Sequence, residues 1–153
     1  LPEELASRFS KTKEGRDQFV LVWSADSGRD EDIVLTQSDI RQLQLAKGAI
    51  VSGIIMLQKV MEIPDEELEE LMLCGGFGNY ISIQSAVDIK LLPKLPVEKI
   101  TYVGNAAHLG AQMALLSEEE RTRADQIAKE MNHVALATHP DFQDIFVEAL
   151  SFG

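Results

Sequence analysis

The chain of 153 residues predicts an α/β fold, a mixed sheet flanked by helices, and three observations carry that expectation. Runs of β-forming residues alternate with segments of helical period along the chain, the pattern of a sheet covered by helices. Two of the runs pass through glycine directly into a helical stretch, Leu73-Cys74-Gly75-Gly76 and Val103-Gly104-Asn105-Ala106. The balance of 45% hydrophobic and 25% charged residues is that of an ordinary globular domain with a core of useful size.

Residues 1–16 are polar and charged and are expected to form a mobile lead-in with a short helix at 2–8. The run 18–23 is rich in β formers and reads as a strand. Residues 24–32 read as a loop, and 33–36 as a second strand pairing back as a hairpin. Asp26, Asp30, Glu31 and Asp32 lack the alternating ligands and terminal bidentate Glu of a calcium loop, so they read as a solvated turn.

Thr36 followed by Asp39 resembles a capping box and starts a helix that should reach Met61. Ile40, Leu43, Ala46, Ile50, Ile54, Leu57 and Met61 recur at steps of three and four and predict one buried face. The same helix carries small residues at Ala46, Gly48, Ala49, Ser52 and Gly53. Each mid-helix glycine costs roughly 1 kcal/mol against alanine, so close approach by something is expected. Tight helix–sheet packing and a ligand bordered by Lys47 both satisfy it.

Pro64-Asp65-Glu66-Glu67 starts one or two helical turns, and 71–74 reads as an apolar strand. Glycine can take φ > 0 and let a flat ligand lie on the backbone; in an α/β sheet, ligands bind at the carboxyl ends of strands. The turn Gly75-Gly76-Phe77-Gly78 therefore serves either a ligand or tight packing. Residues 81–87 fit a short helix, stopped before Pro93 and Pro96. A strand at 100–103, a helix at 106–116 with small residues along one side, and a helix from Ser117 to about Asn132 follow. Val134 to Ala137 reads as a short strand, and 141–150 as a terminal helix with Phe142, Ile145, Phe146 and Ala149 inward.

A net charge of −11 argues against a nucleic-acid surface or an anionic membrane, both of which need clustered Lys and Arg. One cysteine rules out a disulfide framework and a cysteine-held cluster within this chain, and a cytoplasmic setting fits. No apolar run reaches the about 20 residues of a membrane span. His108, His133 and His139 lack metal-ligand spacing. Cys74 has no adjacent basic residue to activate it and is expected to be a buried structural thiol. No Gly-x-Ser-x-Gly elbow, Walker loop or dinucleotide fingerprint is present, so the residues hold no self-sufficient catalytic set.

The two strand–glycine–helix units, with residues 32–40, 44–50, 73–80, 102–106 and the closing 146–152, resemble the carboxyl-terminal half of the ATPase domain in reductive activators of corrinoid proteins. These are similar to sugar kinases, acetate kinases, heat-shock chaperone ATPases and actin, and the likeness covers roughly 9–152. It implies one lobe of an actin-like, ribonuclease H-like ATPase fold, a single domain over 1–153. It further implies that Gly75, Gly76, Phe77 and Gly78 receive adenosine, that Gly104 and Asn105 belong to the second connecting motif, and that Lys47 borders the nucleotide from the far side.

The cofactors implied are ATP with Mg, whose phosphate and metal contacts come from an upstream lobe, and a [2Fe–2S] cluster in a separate amino-terminal domain. The partner implied is a corrinoid iron–sulfur protein or a corrinoid methyltransferase component, with a homodimer among the options. The chain opens on Leu1-Pro2, as expected of a fragment. The activity implied is ATP-driven reduction of a cobalt(II) corrinoid to cobalt(I), the chain alone being inactive. A non-catalytic nucleotide-sensing or protein-interaction module and the lobe of a small-molecule kinase are the alternatives.

Overall fold

Val20, fully buried, lies on the central strand of the first of two compact units, residues 1–47 and 48–153. The computed structural model describes residues 2–76 and 80–152. β2 (Asp17–Val22) pairs antiparallel with β1 (Phe9–Lys11) on one side and β3 (Ile33–Thr36) on the other. Phe9 stands opposite Phe19, their rings 5.2 Å apart and edge to face, a geometry that aromatic quadrupoles favour. The Arg8 guanidinium donates to the carbonyls of Val20 at 3.0 Å and Leu21 at 2.8 Å.

The expected lead-in therefore contains structure: α1 (Glu3–Ala6), then β1 as an edge strand. The aromatic pair and the strand's own ladder account for it, and neither shows in a local count of polar residues. The expected loop at 24–32 contains a turn of helix, α2 (Ser24–Ser27), which Gly28 ends at φ 66°. Asp32 in that loop accepts the amide of Ser24 at 2.6 Å.

Thr36 and Asp39 cap α3 (Gln37–Met61) reciprocally. The Thr36 hydroxyl and amide donate to Asp39 Oδ2 at 2.7 and 2.8 Å, and the Asp39 amide donates back to Thr36 Oγ1 at 3.3 Å. The bond from the Thr36 side chain, then that from its backbone, holds the Asp39 carboxyl below its ordinary value. By length and composition α3 could cross a membrane, contrary to the expectation that no run is long enough, although Lys47 stands within it.

The buried face of α3 is the small-residue one. Gly48, Ser52 and Met56 are buried, whereas Ile50, Leu57 and Met61 of the expected face are exposed. The partner explains the choice within the second unit, because α7 (Phe142–Ala149) and the residue after it bring bulky groups there. A Cβ on Gly48 would lie 2.9 Å from Leu150 Cδ2 and 3.4 Å from Phe146 Cε2. Small residues on one helix thus receive large ones from the other, as close packing requires. Ser52 is satisfied by donating to the Gly48 carbonyl at 2.6 Å. Phe142, Ile145, Phe146 and Ala149 turn inward as expected. Lys59 pairs with Asp141 at 2.5 Å; its hydrogen bond and charge, with a smaller effect from His139, keep that carboxyl below its ordinary value.

β4 (Leu71–Cys74) and β5 (Ile100–Gly104) pair in parallel. The carboxyl part of α3 lies beside β4, Ile54, Leu57, Met61, Leu71 and Leu73 lining one cleft of about 460 Å³. A single 3-10 turn, Asp65–Glu67, precedes β4. α4 (Ile83–Asp88) starts at Ser82, whose hydroxyl accepts the Ser85 amide at 3.3 Å. α5 (Ala106–Leu116) and α6 (Glu118–Glu130) meet at Ser117, which caps α6 by accepting the Glu120 amide.

The strand expected at 134–137 is absent from the described structure. Leu136–Thr138 form a 3-10 turn instead, in which the Thr138 hydroxyl donates to the Ala135 carbonyl at 3.1 Å. Such local side-chain bonds compete with strand pairing.

Candidate functional site

The two glycine turns meet at the carboxyl ends of the parallel pair. Leu71, Met72 and Leu73 stand opposite Ile100, Thr101 and Tyr102, and the register then slips so that Cys74 faces Gly104. Just beyond the slip, the Gly75 amide donates to the Gly104 carbonyl at 2.7 Å. At the entry end, the Thr101 hydroxyl donates to Glu70 Oε1 at 2.8 Å and Lys99 Nζ to the Leu68 carbonyl at 3.1 Å. Both ends of the pair are thereby fixed.

Gly75 and Gly104 take φ of 85° and 70°, in the left-handed region that disfavours side chains. Gly76 is not among the positive-φ residues. Among the described residues, a Cβ built on Gly75, Gly76 or Gly104 would meet nothing within 4 Å. Packing by those residues therefore does not account for the three glycines. Phe77 and Gly78, the remaining candidates of this turn, lie outside the described residues.

Asn105 caps α5, its Oδ1 accepting the His108 amide at 3.1 Å. Lys47 belongs to the other compact unit and is buried, with 2% exposure. Cys74, expected to be buried, is exposed. The alternation of β4 places Met72 and Cys74 on its open face, which an unbroken apolar run does not reveal.

Sequence reasoning passed over Tyr102, whose hydroxyl donates to the carbonyl of Ile81, just before the Ser82 cap. A tyrosine two residues ahead of Gly104 was the only signal. Among the described residues, no three His, Cys, Asp or Glu side chains converge as a metal site. A [2Fe–2S] cluster held by cysteines needs four, and the chain has one, so its residues do not fit that group.

A parallel strand pair whose carboxyl ends run into glycines belongs to an α/β architecture, and that edge is where such sheets bind ligands. The chain belongs to the family described as the C-terminal domain of RACo, the ASKHA domain, whose model matches residues 2–153. It is 36% identical over 149 residues to the corrinoid activation enzyme RamQ of Eubacterium limosum, covering 97% of this chain and 25% of that one. A solved structure of a reductive activator for corrinoid, iron–sulfur protein matches at a TM-score of 0.83 and 36% identity, over 95% of this chain and 23% of that one. The chain spans about a quarter of the length of these relatives. The actin-like α/β fold class expected from the sequence is the one found.

Proposed function

We propose that this chain is the adenosine-binding lobe of an ATP-dependent reductive activator that drives a cobalt(II) corrinoid protein to cobalt(I). The observation that carries the reading is the pairing of Gly75 with Gly104, with no described atom within 4 Å of a Cβ on Gly75 or Gly76. Family membership and two relatives named for corrinoid activation support the rest.

In this reading the base and ribose rest on the backbone of Gly75 and Gly76, and Phe77 and Gly78, outside the described residues, belong to the same adenosine motif. Gly104 and Asn105 hold the second strand end and the start of α5 against it. ATP hydrolysis supplies the free energy for the electron transfer. Phosphate, Mg and iron–sulfur contacts come from beyond these residues, in a cytoplasmic protein that docks a corrinoid partner.

Titration calorimetry of the full-length protein with a non-hydrolysable ATP analogue tests this. Gly76→Val should abolish binding with an unchanged melting curve, because its side chain enters empty space where the base would lie. Cys74→Ala should bind normally. Unchanged affinity in a folded Gly76→Val protein overturns the reading.

A further inference from the structure

Ile50, Ile54, Leu57 and Met61 follow one another along α3 at steps of four, three and four, the spacing of a heptad seam. Among the described residues the seam stays largely open: Ile50 is 52% exposed, Leu57 45% and Met61 63%. It runs about 16 Å at the helical rise. Together with Leu71, Met72 and Leu73 of β4 it lines the cleft of about 460 Å³. An apolar stripe of this spacing fits a second helix that sends its own apolar side chains into the cleft. The polar groups that would orient a small molecule there are committed elsewhere. Gln58 donates to the Ile63 carbonyl at 3.3 Å and to Asp65 at 2.8 Å, and Glu70 accepts the Thr101 hydroxyl at 2.8 Å.

The rim of the cleft is acidic. Glu62, Asp65, Glu66, Glu67, Glu69 and Glu70 fall close together, and no Lys or Arg lies between Val60 and Ile89. Glu70 lines the cleft itself; Glu62 and Asp65 line the hollow that continues it past the end of α3. The lysine of that hollow, Lys59, is paired with Asp141, and Lys99 donates to the Leu68 carbonyl at 3.1 Å. Lys90 and Lys94 line a neighbouring hollow, where Asp65 and Asp88 stand beside them. A second copy of a chain with a net charge of −11 would bring further acid to this rim. A basic partner matches it.

We propose that the cleft between α3 and β4 docks a basic amphipathic helix of a partner protein. The apolar stripe of that helix lies against Ile50, Leu57 and Met61, and its Lys or Arg flank against Glu62 and Glu70. The proposal goes beyond the adenosine reading and does not depend on it.

The test titrates the full-length protein with three fluorescent peptides of about three heptads and follows their anisotropy. One carries leucine at the seam positions with lysine beside them, the second has glutamate in place of lysine, and the third is the lysine peptide scrambled so that no stripe forms. The first should bind about tenfold or more tightly than either of the others, and more weakly as salt rises. Leu57→Ala combined with Met61→Ala should raise its dissociation constant about tenfold, alanine keeping the helix intact. Glu62→Gln combined with Glu70→Gln should raise it about three- to tenfold, the new amide oxygen still accepting the Thr101 hydroxyl. Melting curves of both variants should match wild type.

Equal binding of the lysine and scrambled peptides, or wild-type affinity after Leu57→Ala with Met61→Ala, overturns the cleft as the site. Equal binding of the lysine and glutamate peptides overturns the basic partner. If the full-length protein binds none of the three, the rest of the chain closes the cleft and the proposal falls. Self-association in sedimentation that Met61→Ala abolishes would assign the cleft to a second copy and overturn it likewise.

Discussion

Gly48 and Gly53 share a helix but should answer a new side chain in opposite ways. At Gly53 a Cβ would sit 3.7 Å from Leu136 Cδ1, an ordinary contact. Gly53→Ala should therefore stabilise, by up to about 1 kcal/mol from helix propensity. At Gly48 the space is taken by Leu150, so Gly48→Leu should destabilise by about 1–3 kcal/mol through overpacking. Adding Leu150→Ala should recover part of that loss, a coupling that urea denaturation of the double-mutant cycle would measure. The strained glycine of the candidate site is Gly75, at φ 85°; Gly75→Ala should lower stability by about 1–2 kcal/mol, where Gly76→Val should not. The sequence marked all these residues as small. It could not say which conformations were left-handed or which neighbours lay close. Cys74 was misjudged because Leu71-Met72-Leu73-Cys74 is apolar at every position, leaving the parity of the strand unreadable.

At the scale of elements, capping chemistry was the most legible signal. α6 begins after Ser117, whose hydroxyl accepts the Glu120 amide, whereas Asn105, which caps α5 by accepting the His108 amide, was read only as part of a connecting motif. The Thr36–Asp39 start of α3 was equally readable, and Thr36→Ala should destabilise by about 1 kcal/mol. Its acid dependence follows from the lowered Asp39 carboxyl. The contribution is complete above the ordinary aspartate value and is lost as pH falls through the lower folded value. Wild type and Thr36→Ala should therefore approach each other in melting temperature at strongly acid pH. Less legible was the orientation of α3, since its apolar period and its small residues both implied a buried face. The bulk of Phe146 and Leu150 decides between them, and those lie about a hundred positions away. The edge strand β1 was missed for a related reason: it is held by Phe19 on its neighbour, not by its own composition.

For the molecule as a whole, resemblance in the order of several motifs revealed more than any single stretch, because the paired glycine turns only acquire meaning when β4 and β5 are adjacent. Residues 1–153 on their own should show no ATPase activity above background. Phosphoryl transfer needs positioned phosphate donors and a metal, and the sequence carries no Walker loop or other glycine-rich phosphate loop beyond Gly75-Gly76-Phe77-Gly78. A coupled phosphate-release assay would check this, and robust Mg-dependent hydrolysis would mean the active site has been misplaced. The packing of Gly48 against Leu150 also sets an order on biosynthesis. At about 5–20 residues per second, the ribosome makes the helix that covers the small face of α3 some 5–20 s after Gly48 itself. Until then that face is bare in every nascent chain, and a premature stop that removes α7 would leave it bare for good.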